Sequence, residues 1–201
     1  VTDGLKDAPP ELVLASASPA RRRLLEDAGV SFTVVPSAVE ERWDLHGDPR
    51  STVRALALEK ARDVASGRPD ALVLGCDSLF AFDGELWGKP ADRAEAEARW
   101  RAMRGGEGIL HTGHALCRHG EEVTDVVSTT VRFAQVSDAE IVAYVRSGEA
   151  LGVAGGFTLD GRSAGFVEGV DGDPGNVIGL SVPALRRLLT HVGVDLVDLW
   201  R

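Results

Sequence analysis

The stretch from Leu12 to Leu25, LVLASASPARRRLL, limits the fold more than any other part of this chain. Leu12, Val13 and Leu14 form an apolar run short enough to be a buried strand. Small residues follow, then Ser18 at a helix N-cap and Pro19 in the first turn, where a missing N–H costs nothing. Leu24, Leu25 and Ala28 supply an apolar stripe until Gly29 ends the helix. A strand feeding a helix through a tight turn is the opening unit of an α/β fold. Arg21, Arg22 and Arg23 do not suit a plain surface helix. The N–H groups at a helix N-terminus are already electropositive, so cations there oppose the helix unless an anion joins them. Solvated surface charge is the alternative, at a few tenths of a kcal/mol per residue.

Composition narrows the partner. A chain of 201 residues is enough for one domain, with room for two lobes on a shared core, burying about 70% of its unfolded surface. Its 22 basic and 31 acidic residues leave a net charge of −9, with no basic block to track a nucleic-acid backbone. A small anion can be met locally; a polyanion is not the expected partner. Cys76 and Cys117 stand far apart in no C-x-x-C arrangement, which points to buried thiols in a reducing, cytoplasmic setting. No run approaches a membrane span, and residues 1–11 lack the features of a signal peptide and read as a disordered leader before a single domain over 12–201.

Further along, SFTVVP is a β-branched run leading to the acidic step Val39-Glu40-Glu41. Asp48 and Pro49 open a helix through about Ala65 that carries Lys60, by itself readable as a snorkelling surface lysine. DALVLGCD reads as a buried strand, apolar over Ala71–Leu74 and ending in Gly75-Cys76-Asp77-Ser78, with LFAF after it as the outgoing strand of a hairpin; ligands of open α/β sheets gather beyond the carboxyl ends of strands, which makes Asp77 a candidate. Asp83-Gly84 makes a hairpin turn, and the returning strand brings Gly88-Lys89-Pro90 back toward Asp77. Asp92 and Glu95 start a helix that ends at Gly105. Two β segments follow, about Ile109–Cys117 and Val123–Phe133, turned at His119-Gly120. His111 and His114 fall on opposite faces of their strand, which disfavours a zinc site. Ser137 and Glu140 form a capping box. The glycine-rich GVAGGFTLDGRSAGFVEGVDGDPGN suits backbone passing close to a ligand. A last helix spans about Pro183–His191, and VDLVDLWR is a short tail.

In that order, LASASPARRRLL, VEE, the lysine of LALEKA, GCDS, GKP with TGHAL, and AGGFTLDG with NVIGL resemble the Maf family of nucleoside triphosphate pyrophosphatases, from about Leu12 to Leu189. The resemblance implies a twisted mixed β-sheet flanked by helices, two lobes about a deep cleft, and a tendency to form homodimers. It implies bacterial or eukaryotic cytoplasmic enzymes that split a nucleoside triphosphate into monophosphate and pyrophosphate with a divalent metal, magnesium foremost and manganese next. By position it assigns Asp77, Glu40, Lys60 and Lys89 to catalysis, Glu40 and Asp77 to the metal, and Ser16 and Arg21 to substrate. Cations and a metal are what the chemistry calls for, because negative charge grows on the phosphate oxygens and the departing pyrophosphate. A non-catalytic nucleotide-binding regulator of septum formation is the competing implication. At three positions where the resembling branches read the base, this chain has its own residues, Ala20, Ser78 and Asp160. An ionised Asp160 accepts hydrogen bonds only, which favours guanine-type bases with two adjacent donors; the alternative is that Asp160 closes a turn with Gly161.

Overall fold

A computed structural model describes residues 10–40 and 47–201, and within them the opening strand, turn and helix stand where the sequence puts them. β1 (Leu12–Leu14) is wholly buried. It leads to α1 (Pro19–Asp27), capped by the Ser18 side chain accepting from the Arg21 N–H, and Gly29 leaves the helix at φ +69°. β2 is only Thr33–Val34. α2 (Pro49–Ala65), capped by Asp48, leads to β3 (Leu72–Phe82), which turns through Asp83 and Gly84, both at positive φ, into β4 (Glu85–Trp87). α3 (Arg93–Met103), the long hairpin of β5 (Glu107–Arg118) and β6 (Glu121–Phe133), and α4 (Asp138–Arg146) with its Ser137–Glu140 capping box follow. The glycine-rich region is a series of 3-10 turns ahead of β7 (Val167–Asp171), α5 (Pro174–Ile178) and α6 (Val182–His191).

The strands form one seven-stranded mixed sheet in the order β2-β1-β3-β5-β6-β7, with β4 beside the far half of β3. Helices cover both faces. α2 packs on one face, where Val73, Ala57, Ala61 and Val64 share a core. The opposite face carries two separate cores. Leu72, Leu74 and Cys76 join Leu12, Leu14 and the α6 leucines in the first. Phe80, four residues beyond Cys76 along β3, joins Trp100, Phe133, Tyr144 and Phe157 in the second, with rings meeting edge-on at 4.9–5.8 Å. Such geometry favours the positive ring edge against a negative face. These cores are the two lobes, and the cleft lies between them.

Three expectations change. The strand expected to end at Gly75–Ser78 and the LFAF segment after it are one strand: β3 continues through Ser78 to Phe82, held on one side by unbroken antiparallel pairing of Val73–Ala81 with β5. The VDLVDLWR segment is an anchored element and not merely a tail: Leu199 is buried, its carbonyl accepts from the Ser31 N–H at 2.6 Å, and Trp200 bridges to Val30. Of the expected leader, residues 1–9 lie outside the described residues, whereas the Glu11 carbonyl accepts from the Leu72 N–H and its carboxylate from Thr33.

Candidate active site

β1 and β4 flank the same edge of β3 without meeting. β1 pairs with Leu72–Leu74 and β4 with Phe80–Phe82. From Gly75 to Leu79 that edge has no strand beside it among the described residues. A cavity of about 310 Å³ opens at this break, lined by the turn after β1, the start of α1, and Lys60, Asp77, Ser78, Lys89, Phe157 and Gly179. Side chains from both faces of β3 reach it, because successive residues of a strand point to opposite sides. Asp77 thus serves the site from mid-strand; the carboxyl end that matters is that of β1.

On the α2 face, Lys60 Nζ lies 2.5 Å from Asp77 Oδ1, with side chains 7% and 2% exposed. Two glycines make this meeting possible. A Cβ on Gly75 would stand 2.1 Å from the Ala57 carbonyl oxygen and 2.7 Å from the Ala61 nitrogen, and one on Gly113 would stand 2.1 Å from the Val53 carbonyl oxygen. Only bare backbone at both places lets α2 lie this close to the sheet. Lys60 is therefore no snorkelling lysine.

On the other face, α1 turns Arg21 inward, 9% exposed. Its Nε donates to the Gly179 carbonyl at 2.8 Å, Nη1 to Ser16 Oγ at 3.1 Å and Nη2 to Ser78 Oγ at 3.1 Å. A guanidinium has five N–H donors, so two remain for a ligand. The three arginines divide their tasks. Arg22 pairs with Glu26 on the surface, and Arg23 reaches across to Asp160 at 2.5 Å.

Lys89 is exposed but its loop is tied down: the Gly88 carbonyl accepts from the Gly155 N–H at 3.1 Å and from Arg99 at 2.7 Å. The glycine-rich region contributes Gly152, Val153, Ala154, Phe157 and Thr158 to the wall. Trp100 steadies it by donating to the Gly156 carbonyl at 2.9 Å. With Leu110, Val177 and Ile178 these residues add a largely apolar part to a wall that also carries Arg21, Lys60, Asp77 and Lys89.

Ser16, Ala20, Arg21, Lys60, Asp77, Ser78 and Lys89 thus share one cavity. Glu40 is exposed and follows the lining residue Val39, and Glu41 lies outside the described residues. Asp160 is committed within the chain: one carboxylate oxygen accepts from the Thr158 hydroxyl and the other from Arg23. Burial works against its ionisation, but those two donors outweigh it and hold the carboxyl below its ordinary range. Each oxygen thus holds one donor and keeps acceptor capacity for a second, and Asp160 is not among the residues lining the cavity. His111 and His114 face opposite sides as expected, bonded to Ser128 and the Ser181 N–H.

Sequence reasoning missed Gly75, Gly113, Gly179 and Thr112. The first two carried a signal, since a glycine inside a strand marks close backbone approach.

Among the described residues no group of three or more His, Cys, Asp or Glu side chains converges into a metal cage. Magnesium seldom uses one. It is held by one or two carboxylates and completes its shell with phosphate oxygens and water. Asp77 supplies one such carboxylate on the cavity wall, and Glu40 is an exposed carboxylate directly after the lining residue Val39.

A buried aspartate, an inward arginine and two lysines around a break in a mixed sheet define an α/β cleft protein suited to a compact anion. The chain belongs to the Maf family, described as Maf-like protein, which it matches over residues 11–192. A nucleoside triphosphate pyrophosphatase of Streptomyces coelicolor is 53% identical over 194 residues, 94% of each chain. One from Salinispora tropica is 48% identical over 199 residues, 96% of this chain and 88% of that one, and one from Synechococcus sp. (strain JA-2-3B'a(2-13)) is 50% identical over 194 residues, 95% and 98%. A solved HAM1 protein from Coxiella burnetii is 20% identical over 63% of this chain and 74% of that one, at a TM-score of 0.42. No helix among the described residues is long and apolar enough to cross a membrane.

Proposed function

We propose that the chain is a metal-dependent nucleoside triphosphate pyrophosphatase that adds water to the α-phosphorus, breaks the α–β anhydride bond and releases the monophosphate and pyrophosphate. The observation that carries this reading is the convergence of Arg21, Lys60, Lys89 and Asp77 on one cavity whose wall is apolar in part. The names of the relatives agree with it. Arg21 and the two lysines meet the negative charge that grows on the phosphate oxygens and on the leaving pyrophosphate; fixed in place, they need no reorganisation as it forms. Leu110, Phe157, Val177 and Ile178 give the nucleoside an apolar bed. Glu40 and Asp77 would hold a divalent cation, magnesium or manganese, which when bound polarises phosphoryl oxygens and shares their charge. Asp77 serves as its ligand or as acceptor of the water proton, and metal titration separates these uses. An Asp77→Asn protein that needs far more magnesium reports a ligand; an unchanged requirement with slow turnover reports a proton acceptor.

The setting proposed is the bacterial cytoplasm, with homodimers as the resemblance implies. Two free cysteines, both buried, suit a reducing compartment. The deciding experiment is product analysis with a panel of nucleoside triphosphates, magnesium and no acceptor sugar. Equal amounts of monophosphate and pyrophosphate are expected. Release of inorganic phosphate with nucleoside diphosphate would overturn the reading in favour of a phosphohydrolase cutting the β–γ bond, and binding without turnover would overturn it in favour of the nucleotide-binding regulator.

A further inference from the structure

Thr112 is wholly buried and lies opposite Ser78 in the β3–β5 register, outside the groups assigned to the reaction. The hydrogen bonds around it admit one proton arrangement. Arg21 Nη2 only donates, so Ser78 Oγ accepts from it at 3.1 Å. The Asn176 carbonyl only accepts, so Thr112 Oγ1 spends its single hydrogen there, at 3.1 Å. The 2.9 Å contact between the two hydroxyls then has one direction left, Ser78 donating to Thr112. The chain runs one way, from guanidinium through two hydroxyls to a carbonyl. Without Thr112 Oγ1, the Ser78 hydroxyl would be a free rotor beside the cavity and Arg21 would keep only a loose partner at Nη2. With it, Ser78 has its hydrogen committed and keeps a lone pair turned to the guanidinium.

We propose that Thr112 is a positioning residue of this site: acting through Ser78, it fixes the orientation in which Arg21 presents its two remaining N–H donors to substrate phosphate. The inference rests on the pyrophosphatase reading. Its neighbours give it the means. β5 is held on both sides by long antiparallel pairing, and Asn176 is itself locked, its amide donating to the Leu110 carbonyl and to Thr129 Oγ1. The anchor at the end of the chain is thus rigid on the scale of a hydrogen bond.

Two substitutions at Thr112 separate positioning from packing. Thr112→Val keeps the shape and the branched Cβ favoured in strands and removes only the hydroxyl; Thr112→Ser keeps the hydroxyl and gives up the branch. Pyrophosphate release would be measured for both, for Ser78→Ala and for the double variant Thr112→Val/Ser78→Ala, with melting temperatures alongside. A positioning role predicts that Thr112→Val lowers kcat/KM at least fivefold and that Thr112→Ser recovers most of it. It also predicts that the double variant falls no more than twofold below Ser78→Ala, since residues acting in series do not add. A loss under fivefold, a serine variant as slow as the valine one, or additive losses would each overturn the proposal while leaving the pyrophosphatase reading standing. A wild-type protein that releases no pyrophosphate would overturn both.

Discussion

Asp77 and Lys60 form an ion pair inside the protein, with Nζ 2.5 Å from Oδ1. Removing one partner of a buried ion pair weakens the compensation of the charge that remains, a loss of up to about 3–5 kcal/mol, whereas replacing both with uncharged groups of similar volume is often close to neutral. Asp77→Asn is therefore expected to do two separable things. Turnover should fall on the order of 10²–10³-fold, the usual result of losing one preorganised charge at a reacting centre, and the denaturation midpoint should fall with it. Adding Lys60→Met should restore most of the stability and none of the turnover. Pyrophosphate release and chemical denaturation on the three proteins check this. Wild-type rates from Asp77→Asn would remove Asp77 from the mechanism.

At the scale of elements, the site depends on how closely α2 lies on the sheet. Gly75 faces Ala57 and Ala61, the residues on either side of Lys60, while Gly113 faces Val53, two turns nearer the helix start. Alanine at either position puts a methyl into a backbone carbonyl and must lift the helix, at about 1–3 kcal/mol for overpacking. The two should differ in function. Gly75→Ala lifts the part of α2 that carries Lys60 away from Asp77, so its kcat should drop well beyond that of Gly113→Ala at similar loss of stability. Urea titration and steady-state kinetics on both variants test the difference; equal kcat would show that helix height does not govern the pair.

Across the whole molecule, His114 makes stability depend on pH. It joins β5 to the start of α6 by accepting the Ser181 N–H at Nε2, 2.9 Å away, which requires the neutral ring. Burial, aided by the charge of Arg21, pushes its pKa down to about 4. In the unfolded chain it titrates near 6.5. Between these values the unfolded chain binds the proton and the folded one does not, so the contribution is full above about pH 6.5 and is lost as pH falls toward 4. At about 1.4 kcal/mol per pH unit the window amounts to roughly 3 kcal/mol. His114→Gln, which keeps an acceptor and cannot titrate, should flatten that part of the profile. Denaturation of both proteins at pH 7.5 and 4.5 measures the gap; parallel losses would mean that His114 is not the group responsible.

Caps, turns and periodicity act over a few residues, and so Ser18, Asp48, the Asp83-Gly84 and His119-Gly120 turns and the Ser137–Glu140 box are legible in the sequence. So is the mixed α/β class, since alternating elements leave few ways to bury their apolar faces. Motif order carried the resemblance, and with it the residues that now share a cavity. That β3 runs on through Ser78 into the hairpin without a break was not legible, because this half is held by pairing with β5, about thirty residues away in the chain. Arg21 was singled out among the three adjacent arginines by motif position, but it was not legible that Lys60 is buried or that Asp160 is engaged by Arg23. Each of those outcomes is a competition between solvation and a partner distant in sequence, at a distance set by how two glycines let a helix lie on a sheet. Local chemistry determined the elements of this protein; tertiary packing decided which of their charges meet.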